Sequence, residues 1–265
     1  MVGMCGRYAT TVDPALLAVE LDAIDETASA PPQPTERYNV APTDPVLAVV
    51  ARHDRAHPTD PPTRRIRRMR WGLVPPWTKA GEGGAPARSA PLFNARADTA
   101  ATKPAFRAAV KTKRALVPMD GWYEWTAEPT AGGKVVKVPH FMTPRDGSRL
   151  FMAGLWSVWH DPASRPDASE PLLSCTILTT DAVGELASVH DRMPLILTPE
   201  HWDRWLDPDA DVPADLLAGV DEQTAAGIEI RLVSDRVNSV RNDGPDLVTP
   251  AAPPGSAVGE QITLL

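Results

Sequence analysis

The chain has 265 residues, 43% of them hydrophobic, enough to bury one sizeable core. Charged residues make up 23%, no apolar run approaches the ~18 residues of a membrane span, and the start lacks the basic-then-apolar order of a secretory signal. A formal net charge of -7 argues against nucleic acid as a bulk partner but leaves room for a local basic face. Cys5 and Cys175 are the only cysteines, and Cys175 lies in the apolar run 172–178, which reads as a buried strand. A disulfide is therefore not expected, and a reducing cytoplasm fits. The 29 prolines favour many short elements over long helices.

In chain order, Met4-Cys5-Gly6-Arg7-Tyr8 comes first. If synthesis begins at Met4 and that methionine is removed, Cys5 carries a free α-amine and a free thiol on adjacent carbons. Their reference pKa values, near ~8 and ~8.5, leave both partly nucleophilic at neutral pH. Such a 1,2-aminothiol condenses with an aldehyde, first to an imine and then to a thiazolidine. As an ordinary residue, Cys5 is instead a small apolar side chain opening a first strand.

Asp13-Pro14 reads as an N-cap and first helical residue, and 15–24 places Leu16, Leu17, Leu21 and Ile24 on a buried helix face. Residues 46–50 read as a strand and 53–62 as a polar loop, with His53 and His57 solvated rather than metal-binding. Arg64, Arg65, Arg67, Arg68 and Arg70 flank Ile66 and Met69 and run into Trp71-Gly72-Leu73-Val74-Pro75-Pro76-Trp77. This is either a solvated strand face or the pairing of charge and rings that holds single-stranded nucleic acid.

A Gly/Ala-rich loop at 79–89 precedes Phe93-Asn94-Ala95-Arg96, and a helix over 104–111 carries Phe106 and Arg107. Strands are expected at 114–118 and 121–125. In the second, alternation puts Trp122 and Glu124 on one face and Tyr123 and Trp125 on the other. A carboxylate sharing a face with a tryptophan is a candidate for a raised pKa and acid/base work. The competing reading is an edge-strand glutamate among exposed aromatics. Gly132-Gly133 signals a hairpin turn into 134–142, and 150–159 and 171–180 are further strands. A short helix at 181–189 ends at His190-Asp191-Arg192-Met193-Pro194, then come a strand at 195–197, short helices at 199–206 and 213–220, and a strand at 228–233. There is no phosphate-binding Gly-rich loop, paired-cysteine zinc spacing, His-Glu-x-x-His or Gly-x-Ser-x-Gly, so no metal and no nucleotide cofactor is expected. The expected fold is α+β: a single domain over 4–250 with a mixed, largely antiparallel, barrel-like β core and peripheral short helices. Residues 1–3 read as a wrongly assigned or removed leader and 251–265 as a flexible tail.

Seven stretches in order carry a resemblance. They are Met4-Cys5-Gly6-Arg7-Tyr8, Arg37-Tyr38-Asn39-Val40-Ala41-Pro42, Trp71-Gly72-Leu73-Val74-Pro75, Asn94-Ala95-Arg96, Gly121-Trp122-Tyr123-Glu124-Trp125, His190-Asp191-Arg192-Met193-Pro194 and 237–243. Together they resemble the SOS response-associated peptidase (SRAP) family of abasic-site sensors. The resemblance implies a monomeric cytoplasmic protein, without cofactor, that joins the nucleoid when it engages abasic sites in single-stranded DNA. It implies Cys5 as the crosslinking residue, Asn94 as the residue that orients the reacting groups, and Glu124 and His190 as acid/base residues. Arg7, Trp71, Arg96 and Arg107 are implied to touch the DNA or shape its path. Met1-Val2-Gly3 departs from the family pattern, in which the cysteine follows the initiator methionine directly. Either translation starts at Met4 or the Met4-Cys5 bond is cleaved. Two rival readings remain at this level: an N-terminal-cysteine peptidase acting on its own leader or on peptide amides, and a non-catalytic single-strand binding module.

Overall fold

The computed structural model describes residues 6–28, 33–130, 132–163 and 170–251. The expectations for the leader, for Cys5 and for the tail beyond Ala251 lie outside the described residues. Thirteen strands run through them: β1 (Tyr8–Thr10), β2 (Ile24–Asp25), β3 (Arg37–Val40), β4 (Pro45–Arg52), β5 (Thr63–Trp71), β6 (Asn94–Arg96), β7 (Arg114–Met119), β8 (Gly121–Pro129), β9 (Val135–Pro144), β10 (Leu150–Trp159), β11 (Leu172–Asp181), β12 (Arg192–Pro194) and β13 (Ile228–Leu232). The helices are short: α1 (Pro14–Glu20), α2 (Ala97–Ala100), α3 (Arg107–Thr112), α4 (Trp202–Leu206) and α5 (Glu222–Ala226).

Five strands close a ring, in the order β5–β4–β7–β10–β11 and back to β5. The closing pair is parallel, Arg70 with Ser174 and Trp71 with Cys175. Most other pairings are antiparallel, so the barrel-like, largely antiparallel expectation is borne out. A second sheet, ordered β13–β9–β8–β1–β3, packs against one end of the ring.

Period-two alternation builds two cores from the same strands. Val46, Ala48 and Val50 of β4, Ala115, Val117 and Met119 of β7, and Cys175 and Ile177 of β11 fill the inside together with Trp71. Their neighbours Leu47, Val49, Leu116 and Leu178 face outward under Leu17, Leu21, Phe106, Val110 and Trp205. Strands apolar on both faces are what a barrel covered by helices requires. Cys175 is fully buried inside, and burial pushes its thiol pKa up to about 12.

Asp13 caps α1 through Oδ1, which accepts from the amides of Ala15 at 2.8 Å and Leu16 at 3.2 Å, and Pro14 opens the helix. The helix stops at Glu20, and of the four apolar positions only Leu17 and Leu21 are buried; Leu16 is 71% and Ile24 48% exposed. The amphipathic spacing misplaces Ile24 because the chain leaves the helix and pairs it as β2 beside β5. The expected helix at 181–189 is replaced by the end of β11 and a 3-10 turn, Gly184–Ser188, because Asp181 still pairs with Arg192 across the sheet.

Arg114 locks the helical cover to the barrel. Its guanidinium is 2% exposed and donates to the carbonyls of Val110 (2.8 Å), Lys111 (2.6 Å), Trp205 (2.6 Å), Ala210 (3.0 Å) and Asp207. Burial lowers its pKa, and no carboxylate bonds it among the described residues; carbonyl dipoles carry the compensation. Arg114→Met keeps much of the volume and removes every donor. It is expected to lower unfolding free energy by at least about 3 kcal/mol in chemical denaturation; a change below about 1 kcal/mol would show the carbonyls to be satisfied otherwise.

Candidate active site

At the end of the ring covered by the second sheet, Trp71, Tyr8 and Trp122 meet in one core. Trp71, at the last position of β5, is the joint. Its ring meets Tyr8 edge-on at 5.2 Å and Phe93 edge-on at 6.1 Å, and its Nε1 donates to the Phe93 carbonyl at 2.9 Å. One indole therefore ties β1 to the residue that precedes Asn94. The Tyr8 hydroxyl lies in this enclosure, and desolvation raises its pKa well above the ordinary value.

Glu124 lies on β8, a central strand between β1 and β9, and is 1% exposed. The edge-strand alternative therefore fails, while the predicted alternation holds. Trp122 joins the barrel-side core, and Tyr123 with Trp125 packs on the other face against Phe141, Val237 and Leu247. Gly121 lets β8 cross closely here: a Cβ on it would lie 2.3 Å from the Met142 carbonyl. Tyr8 pairs with Trp122, and the Tyr123 amide donates to the Arg7 carbonyl at 3.0 Å. Continuing that register by one residue sets Gly6 level with Glu124. The first described residue of the chain thus runs alongside the buried carboxylate.

His140 stands directly opposite Glu124 on β9. Its Nε2 is 3.0 Å from Thr126 Oγ1, which donates to Glu128 at 3.0 Å, so the imidazole donates to the threonine. Burial lowers its pKa and keeps the ring neutral. The sequence reading passed over this residue, although the Gly132-Gly133 turn followed by alternation along β9 carries the register that finds it.

Asn94 and His190 stand on segments at opposite edges of β11. Asn94 begins β6 and pairs with Ile177, and Arg96 pairs with Thr179. On the other edge Arg192 pairs with Asp181 and donates to the Thr179 carbonyl at 3.0 Å. His190, two residues earlier, has its Nδ1 3.0 Å from the Arg192 amide and 2.8 Å from an Asp191 oxygen. A neutral ring accepts the amide and carries its proton on Nε2; a charged ring donates to Asp191. Both protonation states have a partner, as a proton shuttle requires.

Arg7 is half-buried and donates to Asn39 Oδ1 at 2.7 Å and to the carbonyls of Val237 at 2.9 Å and Asn238 at 3.5 Å. Asn39, 2% exposed, donates in turn to the carbonyls of Val237, Ser239 and Asn242. The stretch 237–243 is thereby stitched to β1 and β3, with Arg37 on Asp243 at 2.7 Å. Arg7 shapes the site wall rather than offering a loose cation.

A model of the SOS response associated peptidase (SRAP) family matches residues 4–240. The chain belongs to the SRAP family. It is 32% identical over 248 residues to the abasic site processing protein YoqW of Bacillus subtilis, covering 92% of this chain and 99% of that protein. It is 34% identical over 249 residues to the abasic site processing protein YedK of Escherichia coli, with 93% and 100% covered. With the abasic site processing protein HMCES of Gallus gallus it shares 33% identity over 230 residues, 80% of this chain and 66% of that one. The fold is similar to the crystal structure of a Bacteroides thetaiotaomicron protein, with a TM-score of 0.69 at 24% identity and 94% and 100% of the two chains covered.

Trp71 and Arg107, both expected to touch the DNA or shape its path, differ in exposure. Trp71 is 0% exposed, so neither face of its ring is open for a base to stack on, and its place is the joint described above. Arg107 is exposed at the start of α3, a helix over the outside of the barrel. Arg96 is half-exposed and ion-paired with Asp98 at 2.6 Å. Trp77, 60% exposed, is the ring of the Trp71–Trp77 stretch that does face solvent. Trp71→Ala should accordingly cost about 3–5 kcal/mol of folding stability. Trp71→Phe, which keeps the edge contacts, should recover most of it. Equal unfolding midpoints for wild type and Trp71→Ala would return the ring to a surface role.

Proposed function

We propose that this protein captures abasic sites in single-stranded DNA by forming a thiazolidine with Cys5. One observation carries the reading: a fully buried glutamate lies on the strand that pairs with the segment just after Cys5. The SRAP membership and the names of the relatives as abasic site processing proteins support the same substrate. The cysteine must first be freed, by a start at Met4 with methionine removal or by cleavage of the Met4-Cys5 bond.

The chemistry needs a proton donor and acceptor at each stage. The closed sugar opens when its anomeric hydroxyl loses a proton and its ring oxygen gains one, giving the aldehyde. The Cys5 amine adds to the carbonyl carbon, and the resulting carbinolamine loses water to leave an imine. The thiolate then attacks the imine carbon, the nitrogen takes a proton, and the five-membered ring closes with no net redox change. Glu124, buried beside Trp122, is the group we assign to give and take protons at the sugar. His190 moves the further proton between the reacting groups and solvent, with Asp191 beside its charged ring, and Asn94 orients the reacting groups. Arg96 and Trp77 supply charge and a stacking face for the strand.

Cys5→Ala should abolish the heat-stable adduct on a denaturing gel, because only this residue supplies both bonds to the sugar. Glu124→Gln should slow adduct formation by roughly 10²–10⁴, and wild-type rates in that variant would remove the carboxylate from the mechanism. Asp191→Asn takes away the partner of the charged His190 ring. Capture should then slow, but less than in Glu124→Gln, read from the rate of adduct formation on a denaturing gel.

A further inference from the structure

The arginine run of β5 splits by alternation, and half of it serves neither the site nor the core. Arg64 faces outward to Asp203 at 2.5 Å and to the Leu21 carbonyl at 3.0 Å. Arg65 and Arg67 share the inward parity of Met69 and Trp71, but at the opposite end of the barrel. There Arg52 ends β4 opposite Thr63, while Pro45 pairs with Arg70 at the end near Trp71. At the usual rise, the eight residues of β4 separate the two ends by roughly 20 Å or slightly more. Arg52, Arg55, Arg65 and Arg67 line a cleft of about 370 Å³ at this far mouth.

Charge here is poorly balanced. Glu26 meets Arg65 at 2.5 Å and also pairs with Arg67, Asp54 reaches Arg65 at 3.3 Å, and Asp209 is taken by His53 at 2.8 Å. Among the described residues Arg52, Arg55 and Lys113 have no ion-pair partner. Arg52 and Lys113 instead sit over one ring, that of the buried Trp156, at 5.3 Å and 5.5 Å from its centroid. Two cations held beside each other over one indole repel, and desolvation followed by this mutual repulsion lowers the pKa of Lys113. For Arg52 desolvation again comes first, followed by repulsion from Arg67 and Arg55, and its pKa is lowered. The Nε atoms of Arg65 and Arg67 are buried without an acceptor. A fold whose overall charge is -7 thus concentrates unpaired cations at one opening.

We propose that this barrel mouth, framed by Arg52, Arg55, Arg65, Arg67 and Lys113, is a second binding site, for phosphate groups, at the end opposite Glu124. Guanidinium forks match phosphate oxygens in pairs, and an ammonium adds a point charge, so a multiply charged phosphate ligand neutralises the cluster where a single carboxylate would not. The phosphates come either from the backbone of a nucleic-acid strand or from a free oligophosphate. The inference does not depend on the chemistry at Cys5.

The test uses the full chain at low salt, with tripolyphosphate and an undamaged 20-nucleotide (about 20) thymidine oligomer as separate probes. Arg52→Gln combined with Lys113→Gln removes two of the three cations that have no ion-pair partner among the described residues and orphans no carboxylate. Arg64→Gln, on the outer face of the same strand, controls for general loss of charge. Tripolyphosphate should raise the thermal midpoint of wild type and of Arg64→Gln, and bind the double variant at least about tenfold more weakly. The double variant alone should melt no lower than wild type, since it relieves repulsion. If the oligomer also weakens, with a salt slope smaller by about 1.4, the phosphates belong to a strand; if only tripolyphosphate weakens, they belong to a free ligand. Absence of tripolyphosphate binding to wild type, or equal loss in the double variant and in Arg64→Gln, would overturn the site.

Discussion

Closure of the ring by the parallel pairing of β5 with β11 is the constraint on which the other arrangements rest. Beyond the paired Arg70–Ser174 and Trp71–Cys175, the Gly72 amide donates to the Cys175 carbonyl at 2.8 Å and the Val74 amide to Ser174 Oγ at 2.8 Å. Gly72 takes φ +122, a conformation that side chains resist, and so turns the chain away as soon as the ring is closed. The pairing stations the Trp71 indole between Tyr8 and Phe93. It also leaves the rest of that edge of β11 for β6 and Asn94. Without closure the two ends of the barrel, and with them the two differently charged environments, would not exist.

Polar groups in this fold are held mainly by backbone rather than by opposite charge. Arg114 is satisfied by carbonyls from the α3 and α4 regions, Arg7 by Asn39 and two carbonyls, and Asn39 by three, of which that of Val237 is shared with Arg7. Carbonyl partners fix position without cancelling charge. The buried cations therefore set where loops lie, and 237–243 is held against β1 and β3 in this way. Around Glu124 the chain gives a buried face shared with Trp122, level with the first described residues.

The opposite mouth follows other rules. Its cations rest on Trp156 and on each other, with Glu26 the main counterion. Repulsion of this kind persists in a stable fold when surrounding structure over-determines it, and the register of β4 against β5 and β7 does so here. A net charge of -7 therefore says little about where this molecule presents positive potential.

Local signals in the sequence determined a good deal. The Asp13-Pro14 cap, the strands of the barrel, the burial of Cys175 and the two faces of 121–125 all follow from spacing and residue type, because capping and period-two alternation are short-range effects. The motifs likewise carried the family, which residues 4–240 match. Long-range pairing decided the rest. Whether Glu124 lay on an edge or a central strand depended on β1 and β9 pairing from either side. The burial of Trp71 depended on residues 63 and 104 positions away in the chain, Tyr8 and Cys175, meeting at one point. The partition of the arginine run between outer face and far mouth needed the ring to close. Sequence spacing states which side chains share a face; only the closed tertiary structure decides what that face meets, because burial is a property of contacts between segments distant in the chain.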